Sequence, residues 1–389
     1  MAFLKLFSFS LLLLQISDSL SSSLFLPVTK HASTHHYLTR IFHGSSPILL
    51  PTFLIVDLNS PFPWLDCSSS SDSITAVHSR SIQCTSATSN PSLSSSSNPP
   101  CSLPIINPFT GASSNGELVQ HAISLHDDEI SAVDSFLLSC APSDLVSGLP
   151  SGSTGVLGLG RTRVSAVSQF SHFFDYPKKF SLCLSPTDGM ISSGNDENEV
   201  YKSMIYTPLL ENANSSYNII VKSLKIQNKK LPIEDLSSVK ISTVDLYSKM
   251  ETRVYQEFVK GFIKEADILN MMRVPPIGGF ELCYGVEGSR IVPVIDLVLQ
   301  SEMVKWRIYG HNSMVKVNEE VMCLGFLDGG NDLNGASIIL GTHQIEDNLL
   351  EFDLGSSMLG FSSSLLKMRT SCSQLTLSTM PMGKGIQSS

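Results

Sequence analysis

Residues 54–64, LIVDLNSPFPW, pass from an apolar stretch through one aspartate and a small polar turn to a proline-flanked tryptophan. A carboxylate at the end of a buried strand costs free energy unless hydrogen bonds or chemistry compensate it. Asp57 is therefore a candidate catalytic acid, and such an acid needs a partner elsewhere in the chain. About 100 residues downstream comes TGVLGLG (154–160), and a second pair repeats the arrangement: KISTVDLY (240–247), carrying Ser242, is followed after a similar interval by SIILGT (337–342). The repeat implies two similar lobes. Each would pair a strand carrying a polar turn with an apolar strand ending in glycine, where the missing side chain permits close backbone approach.

The 389 residues suffice for two lobes with real cores. Hydrophobic residues at 42%, charged residues at 16% and a net charge of -9 exclude a disordered chain and argue against a polyanion partner; no nucleic acid is expected. Segments such as PTFLIVD, ELVQHAISL, YNIIVKSLKI and LLEFDLGSSMLGFSSS predict a mainly β fold, interrupted by serine-rich loops (SSSSDS and NPSLSSSSNPP). One amphipathic helix is predicted from Glu251, where Val254, Phe258 and Phe262 fall at i, i+4 and i+8. GSTGVLGLGR lacks the Gly-Lys-Ser/Thr of a P-loop, and Arg163 stands where a dinucleotide fingerprint from Gly158 needs glycine.

The first 23 residues read as a secretory signal, whose apolar run from Leu6 to Gln15 is shorter than the ~20 residues of a membrane span. A secreted, extracellular chain with no membrane span after processing is the expectation. Its eight cysteines are an even number for an oxidising compartment. They contain no Cys-x-x-Cys, and the HASTHH histidines (His31, His35, His36) read as a solvated loop, so neither metal nor cofactor is expected. Asn214 in NSS is the one glycosylation sequon that proline does not spoil.

Longer motifs carry a resemblance. LSCAPSDLVSGLPSGSTGVLGLGRTRVSAVSQF, YTPLLEN, PVIDLVLQSE, NSMVKVNEEVMCLGFLDGG and IILGTHQIEDNLLEFDLGSSMLGFSSSLL resemble the plant extracellular dermal glycoprotein, legume basic 7S globulin and cereal xylanase-inhibitor family, from about residue 40 to Cys372. The resemblance implies a mainly β, bilobal, pepsin-like fold with two six-stranded-barrel-like lobes and few short helices. The lobes are placed at 24–205 and 206–372, with a flexible tail at 373–389. It also implies disulfides Cys283–Cys323 and Cys183–Cys372.

Aspartic peptidases need two carboxylates about 3 Å apart sharing a proton. Here the first lobe keeps Asp57 but follows it with Leu58 and Asn59, while the second has Ser242 at the acid position and Thr243 after it. Asp245 does not replace the missing acid, because three residues of extended chain displace it by roughly 10 Å. The flap-like SSNGELVQH (113–121) has no tyrosine. These departures predict a homologue without peptidase activity, with Asp57 kept as a hydrogen-bond acceptor organising the lobe interface.

The family binds microbial cell-wall glycosidases or peptides, so a glycoside hydrolase, or a peptide, is the implied partner, in the apoplast or cell wall and in defence. A retaining glycosidase holds two carboxyl groups about 5 Å apart, which one arginine can bridge bidentately. Arg290 and Arg369 occupy the places of the two arginines found in family inhibitors of xyloglucan-specific endoglucanases. The histidine used by the xylanase-inhibitor branch is missing before Cys372, and His343 reads as structural. An active endopeptidase and a storage or peptide-binding globulin are the alternative readings.

Overall fold

The structure, a computed structural model, describes residues 24–379 except 45–49, 69–73, 89–98, 127–131, 194–198, 212–214, 235, 237 and 288–290. Arg290, Asn214 and the leader therefore lie outside the described residues. In the first lobe the strands Tyr37–His43, Leu50–Asp57, Ser153–Gly158, Trp64–Asp66, Ala132–Ala141 and Ser113–Ser124 neighbour one another in that order. The last pairs back onto the first at Phe42↔Ser124 and His43↔Ile123, so the six close into a barrel. The strand ending at Asp57 runs parallel to the glycine-terminated one, Asp57 opposite Gly158. A Cβ on Gly158 would come within 2.3 Å of the Phe62 carbonyl oxygen. Only glycine fits there.

The second lobe repeats the device. Val239–Ile241, leading into Ser242, runs parallel to Ile338–Leu340, and a Cβ on Gly341 would meet the Tyr247 carbonyl carbon at 2.6 Å. Hydrogen bonding in this lobe is divided among sheets of five, four and four strands. The predicted helix is Thr252–Ile268, with Glu251 at its N-cap position, and it buries Val254, Phe258 and Phe262. Phe258 packs on Phe326 at 4.9 Å between ring centroids. Each such phenyl group removed from water contributes roughly 1.5–3 kcal/mol.

The lobes share one sheet. From the first barrel it continues through Leu24–Lys30, Asp188–Ser193 and Lys179–Leu184 to Leu349–Asp353, Met358–Phe361 and Ile205–Pro208. The boundary expected at 205/206 falls inside that last strand, which pairs with Met358–Phe361. The segment expected as a flexible tail instead begins with a helix, Cys372–Thr379, burying Cys372, Leu375 and Thr376. Ser373 fixes it by donating to Asp188 at 2.6 Å.

Four disulfides are formed: Cys67–Cys140, Cys84–Cys101, Cys183–Cys372 and Cys283–Cys323. Cys183–Cys372 spans 189 residues and ties the first lobe to the C-terminal helix. In the chain-entropy picture a loop of that length is worth roughly 5 kcal/mol. Nearby, Lys30 pairs with Glu346 at 2.5 Å, and Tyr37 donates to the same carboxylate at 2.7 Å. Burial alone would raise Glu346, but its bonds to His343, Lys30 and Tyr37 win and bring it down to about 2.

Candidate functional site

The two parallel-strand devices bring the predicted acid positions to one seam between the lobes. Asp57 is 6% exposed and Ser242 1%. Asp57 accepts from the Asn59 N–H at 2.7 Å and from the Ser60 backbone. Burial pushes its carboxyl above the usual aspartate range; those backbone bonds and the charge of Lys240 oppose the rise, while Asp245 adds to it.

The bonds that cross the seam come from other residues. Thr243, fully buried, accepts from the Leu58 N–H at 3.1 Å and donates its hydroxyl to the Val56 carbonyl at 2.7 Å. Asn59 returns the contact, its amide donating to the Ile241 carbonyl at 3.1 Å. Tyr217 donates to the Leu159 carbonyl at 2.7 Å. The role expected of Asp57 at the lobe interface is thus corrected: its carboxylate accepts from Asn59 and Ser60, within its own turn. Thr243 and Asn59 provide the grip, and the change of a glycine position to Asn59 is put to use by it.

The placement of Asp245 is also corrected. The chain after Ser242 turns instead of extending: Ser242 Oγ accepts from the N–H groups of Val244 and Asp245 at 3.2 and 3.0 Å and donates to Asp245 Oδ2 at 2.8 Å. A serine hydroxyl that bonds the backbone two or three residues on closes such a turn by itself. Asp245 Oδ1 is paired with Lys249 at 2.7 Å. Both carboxylate oxygens have partners other than Asp57, and the acid position itself holds a hydroxyl.

The flap hairpin Ser102–Ile106 and Ser113–Ser124 carries Phe109 at its tip, packed edge-on against His36 at 4.4 Å. No tyrosine occurs between 102 and 124. His36 also reaches the second lobe, its Nε2 3.0 Å from the Val244 carbonyl. His343 is held at both nitrogens, by the Met314 carbonyl at 3.0 Å and Glu346 at 3.6 Å, which gives it a structural task. Among the described residues no group of three or more metal-ligating side chains is found, and no helix is long and apolar enough to cross a membrane.

Arg369 stands apart from this seam. It is exposed and closes the short 3-10 turn Leu365–Met368 in the left-handed conformation, φ 58°. A non-glycine residue there costs roughly 1–2 kcal/mol, offset by bonds from its N–H to the Leu366 carbonyl and from Thr370 to Leu365 at 3.3 and 3.1 Å. Next to Arg290 in sequence, Ile291 is exposed, and Val292 packs against Gly310. The turn at Gly310 is also touched by the Arg369 segment, because Lys367 Nζ sits 4.8 Å from the centroid of the Tyr309 ring. Val292 and the segment carrying Arg369 therefore flank one turn.

The profile described as Xylanase inhibitor N-terminal matches residues 37–195, and that described as Xylanase inhibitor C-terminal matches 216–363. The chain belongs to this xylanase-inhibitor family of pepsin-like proteins. Among its relatives, a protein named probable aspartic proteinase GIP2 from Nicotiana benthamiana is 36% identical over 411 residues, 92% of each chain. Gamma conglutin 1 of Lupinus albus is 33% identical, over 92% of this chain and 90% of that one. Basic 7S globulin of Glycine max is 32% identical over 88% of each. Of solved structures, that of edgp superposes with a TM-score of 0.83 at 35% identity, covering 91% of this chain and 98% of its own.

Proposed function

We propose that the protein is a secreted, non-proteolytic pepsin-fold inhibitor of a glycoside hydrolase of the xyloglucan-specific endoglucanase kind, acting at the plant cell wall in defence. The observation that carries the loss of peptidase chemistry is the Ser242 network: a hydroxyl at the second acid position, bonded to Asp245, which Lys249 neutralises. Water activation by a carboxylate pair has no geometry to use. The xylanase-inhibitor profiles and the exposed, backbone-fixed Arg369 support the inhibitory part of the reading.

A guanidinium presented from the second lobe can enter a cleft whose two carboxyl groups lie about 5 Å apart and take both in charge-assisted bonds. Glycosylation at Asn214 and the participation of Arg290 belong to the same proposal. A storage or peptide-binding globulin is the second reading, favoured by the conglutin and globulin names among the relatives.

Digestion of a denatured protein substrate at acid pH tests the carrying observation. The purified chain is expected to leave the substrate intact. Cleavage blocked by pepstatin and abolished by Asp57→Asn would overturn the proposal.

A further inference from the structure

Three segments meet around the turn Tyr309 to His311. Val292 packs on Gly310 from one side, and Lys367 lies over the Tyr309 ring from the other. Ser364 Oγ, three residues before Lys367, is 3.2 Å from His311 Nε2. The rings of Tyr309 and His311 are nearly parallel, 8° apart in plane with centroids at 6.3 Å. Beneath them Arg307 is clamped by Asp296 at 2.7 Å and lies within hydrogen-bonding reach of the Tyr309 hydroxyl.

The charge at this face is the reverse of the molecule's. The chain has a net charge of -9, yet residues 304–317 and 363–372 carry five lysines and arginines, facing the two carboxylates Asp296 and Glu319. Lys305 and Arg307 are paired with Asp296, and Lys316 with Glu319. Lys367 and Arg369 have no carboxylate partner among the described residues. Exposed Ile291, Leu366 and Met368 lie in the same segments, an apolar surround of the kind that excludes water from a charged contact.

We propose that the Tyr309–His311 turn, with Lys367 seated on the Tyr309 ring, is a further contact element beside Arg369, holding a second cation toward the acidic cleft of a glycoside hydrolase. This rests on the inhibitory reading above and extends it. A lysine stacked on a ring loses less side-chain freedom on binding than a free one, and a cation facing a carboxylate-lined cleft accelerates encounter in a salt-dependent way.

The test is inhibition and association kinetics of the full secreted chain against a xyloglucan-specific endoglucanase at low and high salt, for the parent, Lys367→Gln, Tyr309→Leu, Tyr309→Phe and Arg369→Ala. Lys367→Gln is expected to weaken inhibition about tenfold and to flatten the salt dependence of the association rate. Tyr309→Leu should do much the same, while Tyr309→Phe, which keeps the ring, stays within about twofold of the parent. Unchanged thermal unfolding of Lys367→Gln separates the effect from misfolding. The platform is refuted, and the arginine reading kept, if Lys367→Gln and Tyr309→Leu match the parent while Arg369→Ala is weaker. A parent that does not inhibit removes both.

Discussion

Replacing Thr243 with valine keeps its volume and removes only the hydroxyl that stitches the lobes. That hydroxyl accepts from the Leu58 N–H at 3.1 Å and donates to the Val56 carbonyl at 2.7 Å, in a place where Val56, Leu58 and Thr243 are all fully buried. An orphaned buried donor costs about 1–3 kcal/mol and the second lost bond about 1 kcal/mol, so Thr243→Val should destabilise by roughly 2–4 kcal/mol. Thr243→Ser keeps both bonds and loses one buried methyl, about 1 kcal/mol. Equilibrium urea unfolding followed by tryptophan fluorescence reads both, since Trp64 is buried in the first lobe and Trp306 in the second. If Thr243→Val lies within about 0.5 kcal/mol of the parent, below the net worth of one hydrogen bond, the seam is not held as described.

Two further outcomes follow from the buried carboxylates. The Asp57 carboxyl is raised in the folded state by burial, so its ionisation penalty is absent below the unfolded aspartate value and grows as pH climbs toward the folded one. Asp57→Asn should therefore stabilise the protein at pH 7, and progressively less as the pH approaches 4, in thermal melts run across that range. Glu346 is the opposite case: held at about 2, it contributes stability that is complete above the unfolded glutamate value and is lost as pH falls through about 2. Lys30→Met, which leaves that carboxylate without its ion partner, should cost roughly 3 kcal/mol at pH 6 by urea unfolding. It should cost far less near pH 2, where the carboxyl is half protonated.

The paired polar-turn and glycine strands were legible because a parallel pair that lets glycine touch backbone leaves a pattern in the sequence at both Gly158 and Gly341. The helix from Glu251 was legible by its spacing, and two disulfide pairs by resemblance. The Ser242–Asp245 turn was not. Reading three residues as extended ignores a side-chain hydroxyl that bonds the following backbone and reverses the chain.

The cross-lobe role of Thr243 had one faint signal, a threonine following the lost acid position, but its partners Leu58 and Val56 lie nearly 190 residues away. The helix at Cys372 was hidden because SQLTLST is polar and partly β-branched. It is fixed by the disulfide, Ser373 and buried Leu375 more than by propensity. Lys367 and Tyr309 meet only through the fold.

The most direct measurement is titration of a xyloglucan-specific endoglucanase with the purified protein, beside the Arg369→Ala variant. The account predicts stoichiometric loss of glycosidase activity with the parent. The variant should bind more weakly by roughly 2–5 kcal/mol, which is about thirtyfold to several thousandfold in affinity. Undiminished hydrolysis at any excess of the parent protein, or equal inhibition by the variant, would contradict it.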